Sequence, residues 1–217
     1  MDDIEGILFD YDGTIANTMD DNFRCWEKSA VTRGLSIEGF NYFALEGCGP
    51  DIIAEKLIHH NKLKYNLSLV NDLVYFKKKY YQEECSIVFY PKIFDFISYL
   101  RNTLGLKTAI ITGADRNRIQ NSIPKEKLNL FDCIITSDDV KFGKPNPEPY
   151  LRGCEKLLIS PQNSIVIENA PLGILSAKKA SCTCFSICTT LDKSHLDCSD
   201  KIFKTHKELY KHFNYDI

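Results

Sequence analysis

Two aspartates, Asp10 and Asp12, follow directly on the short apolar run Ile7-Leu8-Phe9, and a glycine comes next in the chain. An apolar run of this kind is typical of a strand buried on both faces of a parallel sheet. Ligands of such sheets bind just beyond the carboxyl ends of the strands, so we expect both carboxylates at that edge. Two carboxylates this close repel each other unless a cation or hydrogen-bond donors offset the charge. The pattern therefore favours a divalent cation with oxygen ligands over an ordinary Asp-Gly turn.

Further polar residues stand at or just after the ends of other apolar runs. They are Thr112, Lys144, Glu168 and Asn169. Because the carboxyl ends of parallel strands meet at one edge of a sheet, these side chains can converge although they are far apart in sequence. With the two aspartates they supply a nucleophile, an acid–base group, a hydroxyl, a cation and metal ligands. Each residue alone has an ordinary structural explanation, but their joint placement is typical of phosphoryl transfer.

The elements that position these residues alternate between strands and helices. Besides the first strand, apolar runs predict strands at residues 106–111, 133–136, 164–167, 183–187 and 201–203. This alternation predicts an α/β fold with a doubly wound parallel sheet in three layers.

Residues 16–84 differ from the rest of the chain because they have helical periodicity and no convincing strand. We expect a helical cap over residues 16–84 and an α/β core of residues 1–15 and 85–217. In the last cap helix, Leu69, Leu73, Phe76 and Tyr80 recur at helical spacing, which predicts that this stripe faces inward.

Composition limits the classes of partner. The 217 residues are 44% hydrophobic and carry a formal net charge of −2, so we expect no nucleic-acid or membrane partner. The acidic start of the chain is no secretory signal, and we expect a cytoplasmic monomer acting on a small substrate. The nine cysteines are then reduced, mostly buried thiols. Cys182, Cys184 and Cys188 share one face of a strand-like segment but lack paired histidines, which favours buried thiols over zinc.

Four motifs resemble those of the haloacid dehalogenase superfamily of phosphohydrolases and occur in that family's order. They are Asp10-Tyr11-Asp12-Gly13-Thr14, Ile110-Ile111-Thr112-Gly113, Lys144-Pro145 and Val166-Ile167-Glu168-Asn169. The resemblance covers nearly the whole chain. It implies a doubly wound core with a helical cap inserted after the first motif.

The resemblance also implies a role for each matching residue. Asp10 would be the nucleophile that forms an aspartyl-phosphate. Asp12 would protonate the leaving oxygen and then accept a proton from the hydrolytic water. Thr112, Gly113 and Lys144 would hold the phosphoryl oxygens.

Mg²⁺ is the cofactor that the resemblance implies. Its ligands would be the Asp10 carboxylate, the backbone carbonyl of Asp12, and Glu168 or Asn169. The family usually has an aspartate where this chain has Asn169, which removes one negative charge from the site. We expect Glu46, in a glycine-containing cap loop, to complete the metal shell when the cap closes, rather than to be a solvated loop glutamate.

The segments 139–150 and 168–173 are similar to a β-phosphoglucomutase-like subgroup that includes an inorganic pyrophosphatase. This implies a small phosphorylated metabolite or pyrophosphate as substrate, with Lys141 and Asn146 as second contacts. The main alternative is a phosphosugar mutase, which would need cap cations that the Glu46 loop lacks. A carbon–halogen hydrolase would leave Asp12 without a role. A non-catalytic phosphate-binding protein is disfavoured by the intact acidic pair.

Overall fold

The computed structural model describes residues 3–216 and contains one parallel sheet of six strands in the order β3-β2-β1-β4-β5-β6. The strands are β1 (Gly6–Phe9), β2 (Lys107–Ile111), β3 (Cys133–Ile135), β4 (Ser164–Glu168), β5 (Thr183–Ile187) and β6 (Lys201–Phe203). The first strand lies between β2 and β4, and the strand order reverses there. This is the point at which open α/β sheets bind their ligands. The predicted α/β fold with a doubly wound parallel sheet is confirmed.

Helices cover the sheet and form the segment between β1 and β2. They are α1 (Met19–Val31), α2 (Pro50–His60), α3 (Leu67–Glu84), α4 (Ile93–Asn102), α5 (Arg116–Ser122), α6 (Lys125–Leu128), α7 (Glu148–Leu157), α8 (Pro171–Lys179) and α9 (His206–His212). Ile7 and Phe9 of β1 pack with α4, α5 and α9, whereas Leu8 packs with α7 and α8. Successive strand residues point to opposite faces, so an apolar run on a doubly covered strand supplies both layers of the core.

Helices α1, α2 and α3 have a hydrophobic cluster of their own, in which Trp26, Leu57 and Leu73 are fully buried. Their packing agrees with the helical periodicity of this segment. The division of the chain into a cap of residues 16–84 and a core stays a prediction.

The predicted inward stripe of α3 is wrong in part. The buried residues are Val70, Leu73 and Tyr81, whereas Phe76 and Tyr80 are only half-buried. These two rings lie against cations of the neighbouring segment instead: the Arg33 guanidinium is 3.7 Å from the Phe76 ring centre, and the Lys28 ammonium is 4.4 Å from the Tyr80 ring centre. Long cationic side chains can lie over aromatic rings at the surface. Phe76 and Tyr80 therefore stay half-buried, and the buried face of α3 contains Val70, Leu73 and Tyr81 instead.

Two further sequence expectations concern membranes and cysteines. Among the described helices, none has the length and apolar character needed to cross a membrane. The cysteines are free thiols, and Cys182 and Cys184 are buried in the core on or beside β5. Cys182 and Cys184 therefore act as small apolar core residues, and the half-buried Cys188 packs against the same cluster.

Candidate active site

The ends of β1, β2 and β4 bring the predicted acidic and hydroxyl groups to one edge of the sheet. Asp10 directly follows β1, and its backbone N–H donates to the carbonyl of Ile167 on β4 at 3.0 Å. Thr112 follows β2, and its N–H donates to the carbonyl of Ile135 on β3 at 2.9 Å. Glu168 is the last residue of β4. Backbone hydrogen bonds thus continue one residue past two of the apolar runs, which holds these side chains at the edge.

Lys144 connects the groups that the first and fourth motifs contribute. Its Nζ donates to Asp10 Oδ1 at 2.6 Å, to Glu168 Oε1 at 2.7 Å and to the carbonyl of Ile111 at 3.1 Å. The side chain is only 1% exposed, and an ammonium has three N–H donors, so each donor has a partner within the protein. Burial acts to lower the pKa of Lys144, but the two carboxylates raise it above its ordinary value. Lys144 is therefore a fixed positive charge beside Asp10.

Glu168 is oriented by hydrogen bonds to both of its carboxylate oxygens. The Tyr150 hydroxyl donates to Oε1 at 2.7 Å. The backbone N–H groups of Asn169 and Ala170 donate to Oε2 at 3.0 and 3.3 Å. Gly173 leaves the space that this carboxylate occupies, because a Cβ at that position would lie 1.8 Å from Oε1. Glu168 is thus held by the start of α8 and by α7, as well as by Lys144.

Asp12 has a different set of neighbours, supplied by helices. Arg118 of α5 donates from Nη1 to Asp12 Oδ2 at 2.8 Å and from Nη2 to Oδ1 at 2.5 Å. The Thr18 hydroxyl donates to Oδ1, and the Asn22 amide lies 3.4 Å from the same oxygen. Burial acts to raise the pKa of Asp12, but the Arg118 guanidinium holds it below its ordinary value. A bidentate pair of this kind fixes both the position and the charge of the carboxylate.

Glu46 reaches the same edge of the sheet from the loop after the short turn Phe43–Leu45. Its side chain is 2% exposed, and Oε2 accepts hydrogen bonds from Asn169 Nδ2 at 2.7 Å and from the Thr190 hydroxyl at 3.0 Å. The other oxygen, Oε1, is buried without a hydrogen-bond partner among the described residues. Burial raises the pKa of Glu46 to about 9. An unpartnered buried carboxylate oxygen points to a ligand that would neutralise it.

The oxygen atoms at this edge fit a hard divalent cation, although acidic groups alone do not form the site. Within residues 3–216, no three His, Cys, Asp or Glu side chains are arranged to hold a metal ion. The predicted set also uses the Asn169 amide and the Asp12 backbone carbonyl, which are ligand types that Mg²⁺ accepts. Burial raises the pKa of Asp10 despite the opposing effect of Lys144, so further positive charge would stabilise its ionised form. The metal assignment of Asp10, Asp12, Glu168, Asn169 and Glu46 stays a prediction.

The other predicted binding residues fall into two groups. Thr112 and Gly113 line a cavity together with both aspartates. A Cβ on Gly113 would lie 3.1 Å from the carbonyl oxygen of Gly47, so glycine lets the Glu46 loop approach the sheet. Asn146 does not line this cavity: its Oδ1 accepts from the backbone N–H of Glu148, the first residue of α7. Lys141 is exposed.

The expected substrate contacts of Asn146 and Lys141 stay predictions, since Lys144, Glu168 and Asn169 also lie outside this cavity wall. The Asn146 side chain itself is engaged by the start of α7, because an asparagine before a helix readily satisfies one of its free backbone N–H groups.

The cavity above the two aspartates has a volume of about 320 Å³, within the range of small-molecule sites. Sequence analysis missed several of its side chains. They are Asn22, Trp26, Tyr42, Lys77, Tyr81 and Arg118. One signal pointed to Lys77, because it lies at helical spacing from Val70, Leu73 and Tyr81 and so interrupts the apolar face of α3.

Arg118 had no such signal, because Arg116 stands two residues earlier and nothing in the chain says which of the two turns inward. In the structure Arg116 pairs with Asp139 at 2.5 Å, away from the cavity.

The chain is similar to known proteins along most of its length. A sequence profile of the family described as haloacid dehalogenase-like hydrolases matches residues 7–187. Hexitol phosphatase A of Escherichia coli is 27% identical over 205 residues, which cover 94% of this chain and 93% of that protein. Pyrophosphatase PpaX of Bacillus mycoides is 25% identical over 191 residues, covering 87% of this chain and 85% of that protein.

A stronger but more local match is validoxylamine A 7'-phosphate phosphatase of Streptomyces hygroscopicus, which is 38% identical over 96 residues. That alignment covers 44% of this chain and 45% of the relative. Among solved structures, β-phosphoglucomutase from Clostridium difficile superposes with a TM-score of 0.82 at 22% identity, covering 97% of this chain and 96% of that one.

Proposed function

The chain belongs to the haloacid dehalogenase-like hydrolase family, and on that premise we propose that it is a Mg²⁺-dependent phosphohydrolase acting through an aspartyl-phosphate on Asp10. The substrate class is a small phosphorylated metabolite or inorganic pyrophosphate. The observation that carries the proposal is the Lys144 ammonium 2.6 Å from Asp10 Oδ1 in a buried site next to Asp12. A fixed cation beside a nucleophilic carboxylate lets a phosphoryl dianion approach it.

The chemistry assigns one role to each group. An Asp10 oxygen attacks phosphorus, so that an O–P bond forms while the bond from phosphorus to the leaving oxygen breaks. Once its pair with Arg118 opens and it has taken up a proton, Asp12 supplies that proton to the leaving oxygen. As a carboxylate it then takes a proton from the water that cleaves the aspartyl-phosphate. Lys144 and the Thr112 hydroxyl hold the phosphoryl oxygens. Asp10, Asp12, Glu168, Asn169 and Glu46 would hold Mg²⁺, which neutralises phosphoryl charge when bound.

The named relatives support this substrate range without selecting within it. Hexitol phosphatase A and validoxylamine A 7'-phosphate phosphatase are named for phosphate esters, and PpaX is named for pyrophosphate. The fold is compatible with phosphate esters and with pyrophosphate, because the side chains of the cavity decide which leaving group is accepted.

The test is hydrolysis of p-nitrophenyl phosphate with and without Mg²⁺, comparing wild type with Asp10→Asn. We expect activity that needs Mg²⁺ and is lost in the variant. Trapping with beryllofluoride should place the adduct on Asp10. Activity that survives in Asp10→Asn, or an adduct on another side chain, would overturn the proposal.

A phosphosugar mutase is the second candidate, and Lys77 is the observation that favours it. The cap loop itself has no cation for a second phosphate, but α3 places Lys77 in the cavity wall. An assay with β-glucose 1-phosphate and a bisphosphate primer separates the two activities. Glucose 6-phosphate formed faster than inorganic phosphate would favour the mutase.

A further inference from the structure

One cation of the cavity wall, Lys77, has no ion-pair partner among the described residues. The wall contains the cations Lys77, Lys78 and Arg118 and the carboxylates Asp10, Asp12, Glu46 and Asp115. Arg118 is engaged by Asp12 through two hydrogen bonds, and Lys78 pairs with Asp115. In contrast, no carboxylate of the described residues forms an ion pair with Lys77 Nζ, whose hydrogen-bond acceptor is Asn22. Lys77 therefore faces the cavity without a direct counterion from the described part of the chain.

Lys77 is positioned by a neutral group and by aromatic rings. Its Nζ donates to Asn22 Oδ1 at 2.5 Å and lies 4.9 Å from the ring centre of Tyr81. Burial and the neighbouring Arg118 lower the pKa of Lys77 to about 7, which shows how poorly its charge is compensated. An ammonium has three donors, so donors remain for an anion.

Arg118 also has donor capacity that the protein does not use. Its Nη atoms donate to Asp12, and Nη2 also lies 3.2 Å from the Tyr81 hydroxyl. Its Nε is buried without a hydrogen-bond partner among the described residues. A buried guanidinium N–H without an acceptor is costly unless a bound ligand supplies one. Both cations thus have N–H groups that no described protein group accepts.

We propose that Lys77 and Arg118 form a subsite for a second anionic group carried by the leaving part of the substrate. The inference rests on the proposed phosphohydrolase function and narrows its substrate class. Favoured substrates are pyrophosphate or a small phosphate ester whose leaving group bears a carboxylate or phosphate. Esters of neutral polyols leave the two cations without an anion and are poor substrates.

Two matched pairs of substrates test the subsite and identify the second anion. Phosphoglycolate and ethyl phosphate differ in a carboxylate, whereas pyrophosphate and methyl phosphate differ in a phosphate. We expect wild type to prefer the anionic member of at least one pair by about tenfold or more in kcat/KM, as for a charged hydrogen bond. Lys77→Met should reduce that ratio by about tenfold relative to wild type, which separates the subsite from the intrinsic reactivity of the two substrates. Lys79→Met, an exposed lysine on the same helix, should leave the ratio as in wild type.

Equal kcat/KM for both members of each pair, or a ratio unchanged by Lys77→Met, would overturn the subsite. If p-nitrophenyl phosphate is hydrolysed in an Asp10-dependent way, that failure concerns the subsite alone. If Lys77→Met does not fold, or if no substrate is turned over, a measurement of ligand binding to wild type tests the proposal. Wild type should bind methylenediphosphonate at least tenfold more tightly than methylphosphonate in calorimetry. Equal affinities would contradict the proposal.

Discussion

The two halves of the candidate site are built on different principles. The half proposed to bind the phosphoryl group consists of Asp10 and Glu168 at strand ends and Lys144 in the loop before α7. The hydrogen-bonding atoms of Lys144 and Glu168 have partners within the protein. The leaving-group half consists of Asp12, Arg118 and Lys77, and the two cations come from helices. In this half, Arg118 Nε is buried without a partner. On the proposed function, the sheet edge preorganises the chemistry, whereas side chains of the helices select the substrate.

Lys144→Met gives the largest expected effect, because it breaks the phosphoryl half. Activity should be lost, and the free energy of unfolding should fall by about 3–5 kcal/mol, since the buried carboxylates Asp10 and Glu168 lose their counterion. Chemical denaturation and the p-nitrophenyl phosphate assay measure the two effects. Lys141→Met, at an exposed lysine nearby, is the control and should change neither. A stable, active Lys144→Met protein would contradict the role of Lys144 as the counterion of Asp10 and Glu168.

Asp12→Asn tests the other half and should affect turnover without a comparable loss of stability. We expect kcat to fall by about 10²- to 10⁴-fold, because the amide cannot transfer the proton. The apparent Mg²⁺ affinity should stay near that of wild type, because the backbone carbonyl and not the side chain of Asp12 is the predicted ligand. Near-normal rates in this variant would refute the acid–base assignment.

Glu46→Ala examines the carboxylate that reaches Asn169 from the loop after Leu45. Removal of the unpartnered Oε1 should weaken the apparent Mg²⁺ affinity by roughly tenfold, since one charged oxygen ligand is lost. Glu38→Ala, an exposed glutamate earlier in the chain, serves as the matched control. An unchanged Mg²⁺ titration for Glu46→Ala would remove Glu46 from the metal site.

Substitution of His206 should have the smallest effect. This residue contacts the turn that follows Asp10 and Asp12 in the chain. Its Nε2 donates to the carbonyl of Thr14 at 2.8 Å, and its ring stacks on Tyr90. Burial lowers the pKa of His206 below its ordinary value. The folded state therefore favours the neutral ring, so its contribution is complete above about pH 6.5 and is lost as the pH falls below that value.

We expect His206→Gln to reduce the stability lost between about pH 6.5 and 5, by on the order of 1 kcal/mol. Urea unfolding at several pH values measures this change. An identical pH dependence in wild type and variant would show that other groups dominate the acid response.

The apolar runs were sufficient to predict the sheet. A run such as Ile7-Leu8-Phe9 has no polar face, so only a strand covered on both sides buries it completely, and β1 is the central strand. The polar residues that end these runs were predicted for the same reason, because parallel strands deliver their ends to one edge. Thr112 and Gly113 follow β2 and line the cavity with both aspartates, whereas their contact with substrate stays a prediction.

The inward face of α3 and the protein partner of Asn146 could not be predicted reliably. Both depend on which neighbour a side chain meets. Phe76 lies against Arg33, and Asn146 lies against the start of α7. Helical periodicity allows several adjacent faces, and packing energies choose among them.

The sequence by itself determined the strands, their order along the chain and the identity of the groups at their ends, since backbone periodicity and burial are local properties. Only the tertiary structure decided that Arg118 rather than Arg116 enters the cavity, that Lys77 joins it, and that Glu46 reaches Asn169. These contacts join residues that are far apart in the chain. Their geometry depends on how helices pack on the sheet, which no local pattern in a single sequence encodes.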